Sequence, residues 1–163
     1  MFGNFKKHGK SEDTSEDTTT ESSGTDVGLL EFFTQDHRAC DELWAVVEES
    51  DDIAAPVQAF ITSMETHLSM EEQVLFPAFE QAVGMASGCG PTAVMRMEHN
   101  QMRGLLQTIQ AAAAAGKTDT VLAQGDTLLM LIQQHNMKEE HMLYPMCAQN
   151  LDWSTLKTAL ESL

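Results

Sequence analysis

The fold is decided by a stretch that occurs twice, first as His67-Leu68-Ser69-Met70-Glu71-Glu72-Gln73-Val74-Leu75-Phe76-Pro77 and, 68 residues later, as His135-Asn136-Met137-Lys138-Glu139-Glu140-His141-Met142-Leu143-Tyr144-Pro145. Five of the eleven positions are identical, and Phe76 corresponds to Tyr144. An acidic residue followed by a histidine precedes each copy, as Asp36-His37 and Glu98-His99. The chain is therefore built from two copies of one unit, a histidine on one segment and HxxxEE on the next.

From Val27 onward, apolar residues recur with the three- and four-residue spacing of helices, and no segment alternates with the period of a strand. Stretches containing glycine, proline or aspartate separate the helical segments. The sequence predicts an all-α fold, an antiparallel up-down four-helix bundle with a short C-terminal helix, spanning residues 27–163. The predicted helices cover residues 27–49, 53–83 (with Pro77 bending or interrupting the helix), 91–115, 119–150 and 153–160.

Residues 1–26 are predicted to form a disordered acidic tail. Between Ser11 and Asp26 the chain contains Ser, Thr, Glu, Asp and Gly, and no aliphatic residue. Such a segment buries too little apolar surface to offset the entropy lost on ordering.

The composition excludes several classes of function. With 25 acidic residues against 9 basic ones, the formal charge is −16, which argues against binding nucleic acid or an anionic membrane surface. No apolar run approaches the roughly 20 residues that span a bilayer, and the first residues lack the apolar region of a secretory signal. The three cysteines are widely spaced, so we expect reduced thiols in a cytoplasmic protein.

The repeated motif has the geometry of a metal site. Residues four apart share one helix face, so His67 lies beside Glu71 and His135 beside Glu139. Two helices joined by a short loop bring a histidine of the first helix level with the motif on the second. Buried carboxylates without a cation are costly, so this cluster predicts two divalent ions, each held by two histidines and bridged by both glutamates. The candidate ligands are His37, His67, Glu71, His99, His135 and Glu139.

Other residues near the motif admit two interpretations. Glu72 and Glu140 lie five positions after their histidines and point elsewhere, which favours acids that face solvent or support the ligands; Glu140 remains an alternative to Glu139 as a bridging ligand. Tyr144 is interpreted as an aromatic residue that fixes the helix against Pro145, with a hydrogen bond to a bound ligand or the relay of an electron as the alternatives. Cys40 is interpreted as a small buried thiol, with a redox-active thiol or a metal ligand under stress as the alternatives.

The doubled motif resembles the hemerythrin-like, or HHE cation-binding, domains over residues 27–160. This resemblance implies that the six candidate residues hold two iron ions joined by an oxo or hydroxo bridge, with zinc or manganese as substitutes. In the oxygen-carrying hemerythrins a fifth histidine lies four positions after the histidine of the third helix, where this chain has Arg103. The symmetric set of four histidines and two glutamates is closer to the iron-centre repair proteins of nitrosative stress, and it also resembles the iron-sensing hemerythrin domain of an F-box protein.

The resemblance implies a non-haem di-iron protein that binds or reacts with a small diatomic ligand, O2 or NO, in oxygen binding, sensing or stress response. The alternatives are an iron-centre repair protein or iron donor, a di-iron redox protein that reduces NO or peroxide, an iron-level sensor, and a structural site for zinc. No dedicated catalytic acid or base stands out, and the sequence identifies no protein partner.

Overall fold

The computed structural model describes residues 28–163, so the predicted tail lies outside the described residues. Within that range all regular structure is helical. The α-helices are α1 (Leu29–Glu49), α2 (Ala54–Met70), α3 (Phe76–Ala82), α4 (Gly90–Ala114), α5 (Thr118–Lys138), α6 (Tyr144–Asn150) and α7 (Trp153–Leu160). A first π segment, Glu71–Leu75, joins α2 to α3, and a second π segment, Glu139–Leu143, joins α5 to α6.

The helices close into a bundle. Helix α1 packs against α2, α2 against α4, α4 against α5, and α6 returns to α1. Helix α7 lies against the first π segment at one end. This arrangement confirms the predicted all-α bundle with a short C-terminal helix. Across residues 28–163, no helix combines the length and the apolar character needed to cross a bilayer.

The two prolines of the repeated motif fall directly after the π segments. Pro77 lies in the first turn of α3, where the N–H of Phe76 bonds to the carbonyl of Glu71, five residues earlier. Proline has no N–H, and its ring crowds the carbonyl four residues before it, so a wider turn lets the helical path continue. Pro145 in the second copy has the same setting. The interruption predicted at Pro77 therefore takes the form of a π turn.

The hydrophobic core consists of two clusters. The loop-side cluster is Cys40, Trp44, Val47, Ile53, Val57, Phe60, Ile61, Met64, Leu68, Met102, Leu106, Ile109, Ala112, Val121, Leu128 and Ile132. The cap-side cluster, which includes residues of α7, is Leu29, Phe33, Leu75, Phe76, Phe79, Met95, Leu143, Tyr144, Cys147, Leu156 and Leu160.

A buried polar layer separates these two clusters. On α1, His37 lies between Phe33 of the cap-side cluster and Cys40 of the loop-side cluster. On α2 and the first π segment, His67 follows the loop-side residue Met64 and precedes the cap-side residue Leu75. Along α4, as along α1, a cap-side residue comes before the histidine and a loop-side residue after it. Along α5 and the second π segment, as along α2 and the first, this order is reversed. Four helices thus deliver one histidine each to a single level, walled by apolar side chains above and below.

Candidate metal centre

Four histidines face one another in two pairs at this level. The Nε2 atoms of His37 and His67 are 3.1 Å apart, and those of His99 and His135 are also 3.1 Å apart. All four side chains are buried, none more than 4% exposed. Each pair comes from one helical hairpin, α1 with α2 or α4 with α5, so each copy of the repeat contributes one pair.

Glu139 lies between the two pairs. Its Oε1 is 3.0 Å from Nε2 of His135, and its Oε2 is 3.3 Å from Nε2 of His37. The side chain is fully buried. Its two oxygens therefore contact one histidine from each hairpin, which is the arrangement a bridging carboxylate requires.

Glu71 has the equivalent position in the first copy. Its Oε2 is 3.2 Å from Nε2 of His99 and 3.6 Å from Nε2 of His67, and this side chain is also fully buried. The structure therefore brings together all six residues that the sequence nominated as ligands. Glu71, like Glu139, contacts one histidine of its own hairpin and one of the other.

The outer nitrogen of every imidazole is held by an acidic residue. Nδ1 of His67 is hydrogen-bonded to Asp36 at 2.7 Å. The other three Nδ1 bonds each measure 2.8 Å, and they join His37 to Glu140, His99 to Glu72 and His135 to Glu98. A carboxylate accepts the Nδ1 hydrogen, so a neutral imidazole keeps its lone pair on Nε2. Such outer carboxylates orient metal-binding histidines and increase their basicity. The Nε2 atoms of all four imidazoles point into the layer.

This donor set fits divalent metal ions. Two neutral Nε2 atoms at 3.1 Å present lone pairs that repel each other unless a cation or a proton lies between them. Two nitrogens bound to one ion at ~2.1 Å would stand roughly 3.0–3.4 Å apart for bond angles between about 90° and 110°, a range that includes that spacing. In addition, Oε2 of Glu71 and Oε1 of Glu139 are buried without a hydrogen-bond partner. Cations at this level would satisfy the nitrogens and the oxygens together.

The charges of the centre favour bound cations. Burial alone would lower the pKa of His99, but the carboxylates of Glu71 and Glu72 raise it to about 9. The pKa values of His37 and His135 are also raised, because Glu139 outweighs the effect of burial. Burial alone would raise the pKa of Glu139, yet the adjoining imidazoles of His135 and His37 hold it well below its usual range. Without metal, protons therefore supply the positive charge that the two carboxylates require.

Tyr144 belongs to the centre rather than only to the packing around Pro145. Its hydroxyl donates to Oε1 of Glu71 at 2.7 Å and lies 3.1 Å from Oε2 of Glu139 and 3.0 Å from Nε2 of His37. Burial, together with these two carboxylates, raises the pKa of Tyr144 well above its usual value, so the hydroxyl keeps its hydrogen. The packing interpretation of Tyr144 was incomplete, because the sequence does not show that α6 brings the ring under both glutamates.

The remaining sequence expectations can be compared with the geometry. Glu139 lies among the Nε2 atoms, whereas Glu140 bonds to the outer nitrogen of His37. The thiol of Cys40 contacts Oγ of Ser63 at 3.3 Å, and burial raises its pKa to about 11, which agrees with a neutral buried thiol. His141 is exposed and takes no part in the centre.

Sequence reasoning gave no role to Asp36 and Glu98. Both stand directly before a site histidine, yet each bonds to the other histidine of its hairpin, His67 or His135. The recurrence of an acid-histidine pair in both halves was the signal that could have identified them. Which histidine each acid bonds to depends on how the helices pack, and the sequence does not show this.

A small cavity adjoins the centre on the side of the loop-side cluster. It measures about 10 Å³ as the space open to the centre of a water-sized sphere. Its lining comprises three site histidines, His37, His67 and His135, with Cys40, Met64, Leu68, Met102, Ile132 and Asn136. Tyr144 belongs to the opposite, cap-side cluster, so the two faces of the centre differ in polarity.

Comparison with known proteins identifies the family. The family model described as the hemerythrin HHE cation binding domain matches residues 28–147, which is more than half of the chain and includes all six buried site residues. No curated protein and no solved structure gave a significant match. With its helical bundle and its buried cluster of histidines and glutamates, the chain belongs to the hemerythrin HHE cation-binding domain family of metal-binding proteins.

Proposed function

We propose that this protein holds two iron ions inside the bundle, one at each histidine pair, with Glu71 and Glu139 between them. The observation that carries the proposal is the set of four inward Nε2 atoms and two carboxylate oxygens without a hydrogen-bond partner in one buried layer. Imidazole and carboxylate suit iron, and zinc or manganese would bind the same donors as substitutes.

The surrounding residues have separate tasks in this proposal. The outer acids fix each imidazole with Nε2 pointing inward, and Tyr144 keeps a hydrogen available to Glu71. The two apolar clusters keep bulk water from the layer. Bound iron(II) would supply electrons to a small ligand. The protein residues themselves hold charge and orientation rather than act as a catalytic acid or base.

We further propose that the small ligand is diatomic, O2 or NO, and that the protein serves in oxygen binding, oxygen sensing or the response to oxidative or nitrosative stress. The cavity beside the histidines supports a small ligand, because its space of about 10 Å³ is near the least that holds one water-sized molecule, and its walls include Met64, Met102 and Ile132. A larger substrate would require Leu68 and Met102 to move, and both are almost fully buried.

A second candidate role is iron-centre repair, iron donation, or reduction of NO or peroxide. The orientation of Arg103 favours it. This side chain, which replaces the fifth histidine of the oxygen carriers, turns to Glu65 at 3.0 Å and Glu72 at 2.8 Å. It offers no ligand to either metal position, so both positions would keep open coordination sites.

Anaerobic loading with iron(II), followed by the optical spectrum on adding O2 and on purging it, tests the proposal. A new absorption band that disappears on purging would favour reversible binding or sensing. A permanent change would favour redox chemistry or repair, and NO and peroxide would then be tested as reactants. Failure to take up about two iron ions per chain would contradict the di-iron proposal itself.

Ligation can be tested separately with two histidine variants. His135→Ala removes an inward Nε2, and we expect it to lose about half of the bound metal or to unfold the metal-free protein. His141→Ala is the matched control, because this exposed histidine lies in the same repeated motif and outside the centre. Full metal content in both variants, measured by elemental analysis, would contradict the ligand assignment.

A further inference from the structure

The acids around the two histidine pairs follow the repeat closely. Asp36 and Glu98 bond to the second histidine of their own hairpins, and Glu140 and Glu72 bond to the first histidine of the other hairpin. The two pairs therefore have the same number of outer carboxylates in corresponding places. On this basis alone, two metal ions would have equal environments.

Basic residues break this symmetry on one side only. Arg103 donates to Glu72 at 2.8 Å and to Glu65 at 3.0 Å, and the ammonium group of Lys138 contacts Glu98. Glu72 and Glu98 are the acids that hold the His99–His135 pair. Three carboxylates and two basic groups therefore leave a net charge of −1 around this pair.

The His37–His67 pair lacks these cations. The ion-pair partners that the structure gives to Glu140 and Asp36 are the site histidines themselves, His37 and His67. The position that corresponds to Arg103, four residues after the first histidine, is Asp41, which interacts electrostatically with both His37 and Glu140.

The first half of the repeat also has no counterpart of the second basic residue, Lys138. Lys138 stands three residues after His135, and the residue three positions after His67 is Met70, which carries no charge. Three carboxylates, those of Asp36, Glu140 and Asp41, therefore give a net charge of −3 around the His37–His67 pair. The ligands repeat between the two halves, but the charges around them do not.

We propose that the two metal positions are electrostatically unequal, that the first divalent ion binds at His37 and His67, and that Arg103 and Lys138 weaken binding at the His99–His135 position. A divalent cation is stabilised more strongly where the surrounding charge is more negative. The inference rests on the two-ion centre proposed above. Two half-exposed charges a few ångströms beyond the ligands correspond to a preference on the order of tenfold for the first position.

Titration of the metal-free protein with Zn²⁺ tests this inference, because zinc is redox-silent and needs no diatomic ligand. Nuclear magnetic resonance of ¹⁵N-labelled histidine side chains reports which imidazoles respond. At one equivalent, a tenfold preference places about three quarters of the zinc at His37 and His67, so we expect their signals to have changed about three times as far as those of His99 and His135. The exposed His141 serves as an internal reference.

The double variant Arg103→Gln with Lys138→Met removes both cations and leaves every ligand in place. We expect the preference for His37 and His67 to fall about tenfold, so that the two histidine pairs respond together. Lys117→Gln is the control, because it removes one positive charge from the α4–α5 connection at the far end of the hairpin and should keep the wild-type order.

Each outcome has a distinct meaning. If both pairs of the wild type respond together, or the His99–His135 pair responds first, the proposed inequality is overturned while the two-ion centre stands. If the double variant keeps the full wild-type preference, Arg103 and Lys138 are not its cause, and the inference is overturned as well. If fewer than two zinc ions bind, or no buried histidine responds, the proposed centre itself fails.

Discussion

The hydroxyl of Tyr144 donates a hydrogen bond to Oε1 of Glu71 at 2.7 Å, across 73 residues of sequence. Phe76 occupies the corresponding position in the first copy of the motif. Having no hydroxyl, it stacks on His99 with the ring centroids 5.6 Å apart. Tyr144 therefore gives one face of the centre a buried hydroxyl that donates to a carboxylate, whereas Phe76, at the corresponding position of the first copy, has only an aromatic ring.

Tyr144→Phe should lower the free energy of unfolding by about 1–2 kcal/mol, because it leaves a buried carboxylate oxygen without its donor while preserving the ring. We expect the folded variant to keep its full metal content, since Tyr144 is not among the proposed ligands. Urea unfolding and elemental analysis would measure the two effects. An unchanged free energy of unfolding would show that the hydrogen bond contributes no net stability.

The contact between Trp44 and Gly125 makes a second prediction. A Cβ atom at Gly125 would lie 1.9 Å from Cζ2 of Trp44, whose indole is 2% exposed in the loop-side cluster. Gly125→Ala should therefore destabilise the bundle by about 2 kcal/mol or more, since the clash outweighs the better helix propensity of alanine.

Gly104 provides the matched control for this substitution. It is also inside a helix, but a Cβ there meets nothing within 4 Å. Gly104→Ala should therefore stabilise the protein by about 0.5–1 kcal/mol. Thermal unfolding of both variants would measure whether Gly125→Ala lowers the stability while Gly104→Ala raises it. Two changes of the same sign would contradict the close approach of α5 to Trp44.

A third prediction concerns acid stability. Burial alone would raise the pKa of Glu80, but hydrogen bonds from Arg96, Thr92 and Gly88 lower it to about 2. The hydroxyl of Thr92 donates to Oε1 of Glu80 at 2.5 Å, which ties α3 to α4 across the glycine-containing connection. Because this pKa is depressed in the folded state, the stabilisation is present above pH 4.5 and is lost as the pH falls towards 2.

Glu80→Gln removes the ionisable group and should remove that part of the acid sensitivity. Between pH 7 and pH 3, the free energy of unfolding of the wild type should fall by about 2 kcal/mol more than that of the variant. Urea unfolding at the two pH values would measure this. Glu49→Gln, at an exposed position on α1, should behave like the wild type. Parallel pH profiles for Glu80→Gln and the wild type would refute the prediction.

A fourth prediction concerns protons and metal. Carboxylates of Glu71 and Glu72, opposed by burial, raise the pKa of His99 to about 9, so this imidazole is protonated at pH 7 in the metal-free protein. A metal ion must displace that proton, so the apparent affinity for zinc should rise about tenfold per pH unit for each displaced proton as the pH increases towards 9.

Proton release on adding zinc to the weakly buffered protein at pH 7 would measure the same effect directly. We expect at least one proton per chain to be released. Because the proton count should fall towards zero above pH 9, a repeat of the titration at pH 10 provides the control. Zinc binding without proton release at pH 7 would contradict the raised pKa of His99.

Helices and candidate ligands could be predicted from the sequence because both depend on local spacing. The HxxxE spacing places His67 and Glu71 on one helix face whatever the rest of the chain does. The predicted helix limits agree with the structure within a few residues; the fourth, for example, was expected over 119–150 and begins at Thr118. The π segments were not predicted, because a proline signals an interruption but not which wider turn accommodates it.

The order of contacts between helices could not be predicted. Glu140 is 103 residues from His37, and Glu72 is 27 residues from His99, yet both pairs are joined by bonds of 2.8 Å. On an isolated helix, Glu140 points away from the face of His135, which led to its interpretation as an outer acid. Only the packing of the helices against one another shows that Glu140 reaches His37.

By itself, the sequence determined an all-helical bundle, its internal repeat, and the six side chains that meet at its centre, because helix periodicity fixes which residues share a face. The tertiary structure decided which acid holds which imidazole, that Tyr144 lies under both glutamates, and that Arg103 and Lys138 neutralise the acids of one pair alone. These relationships join different helices, and their distances depend on how the helices pack rather than on spacing along any one of them.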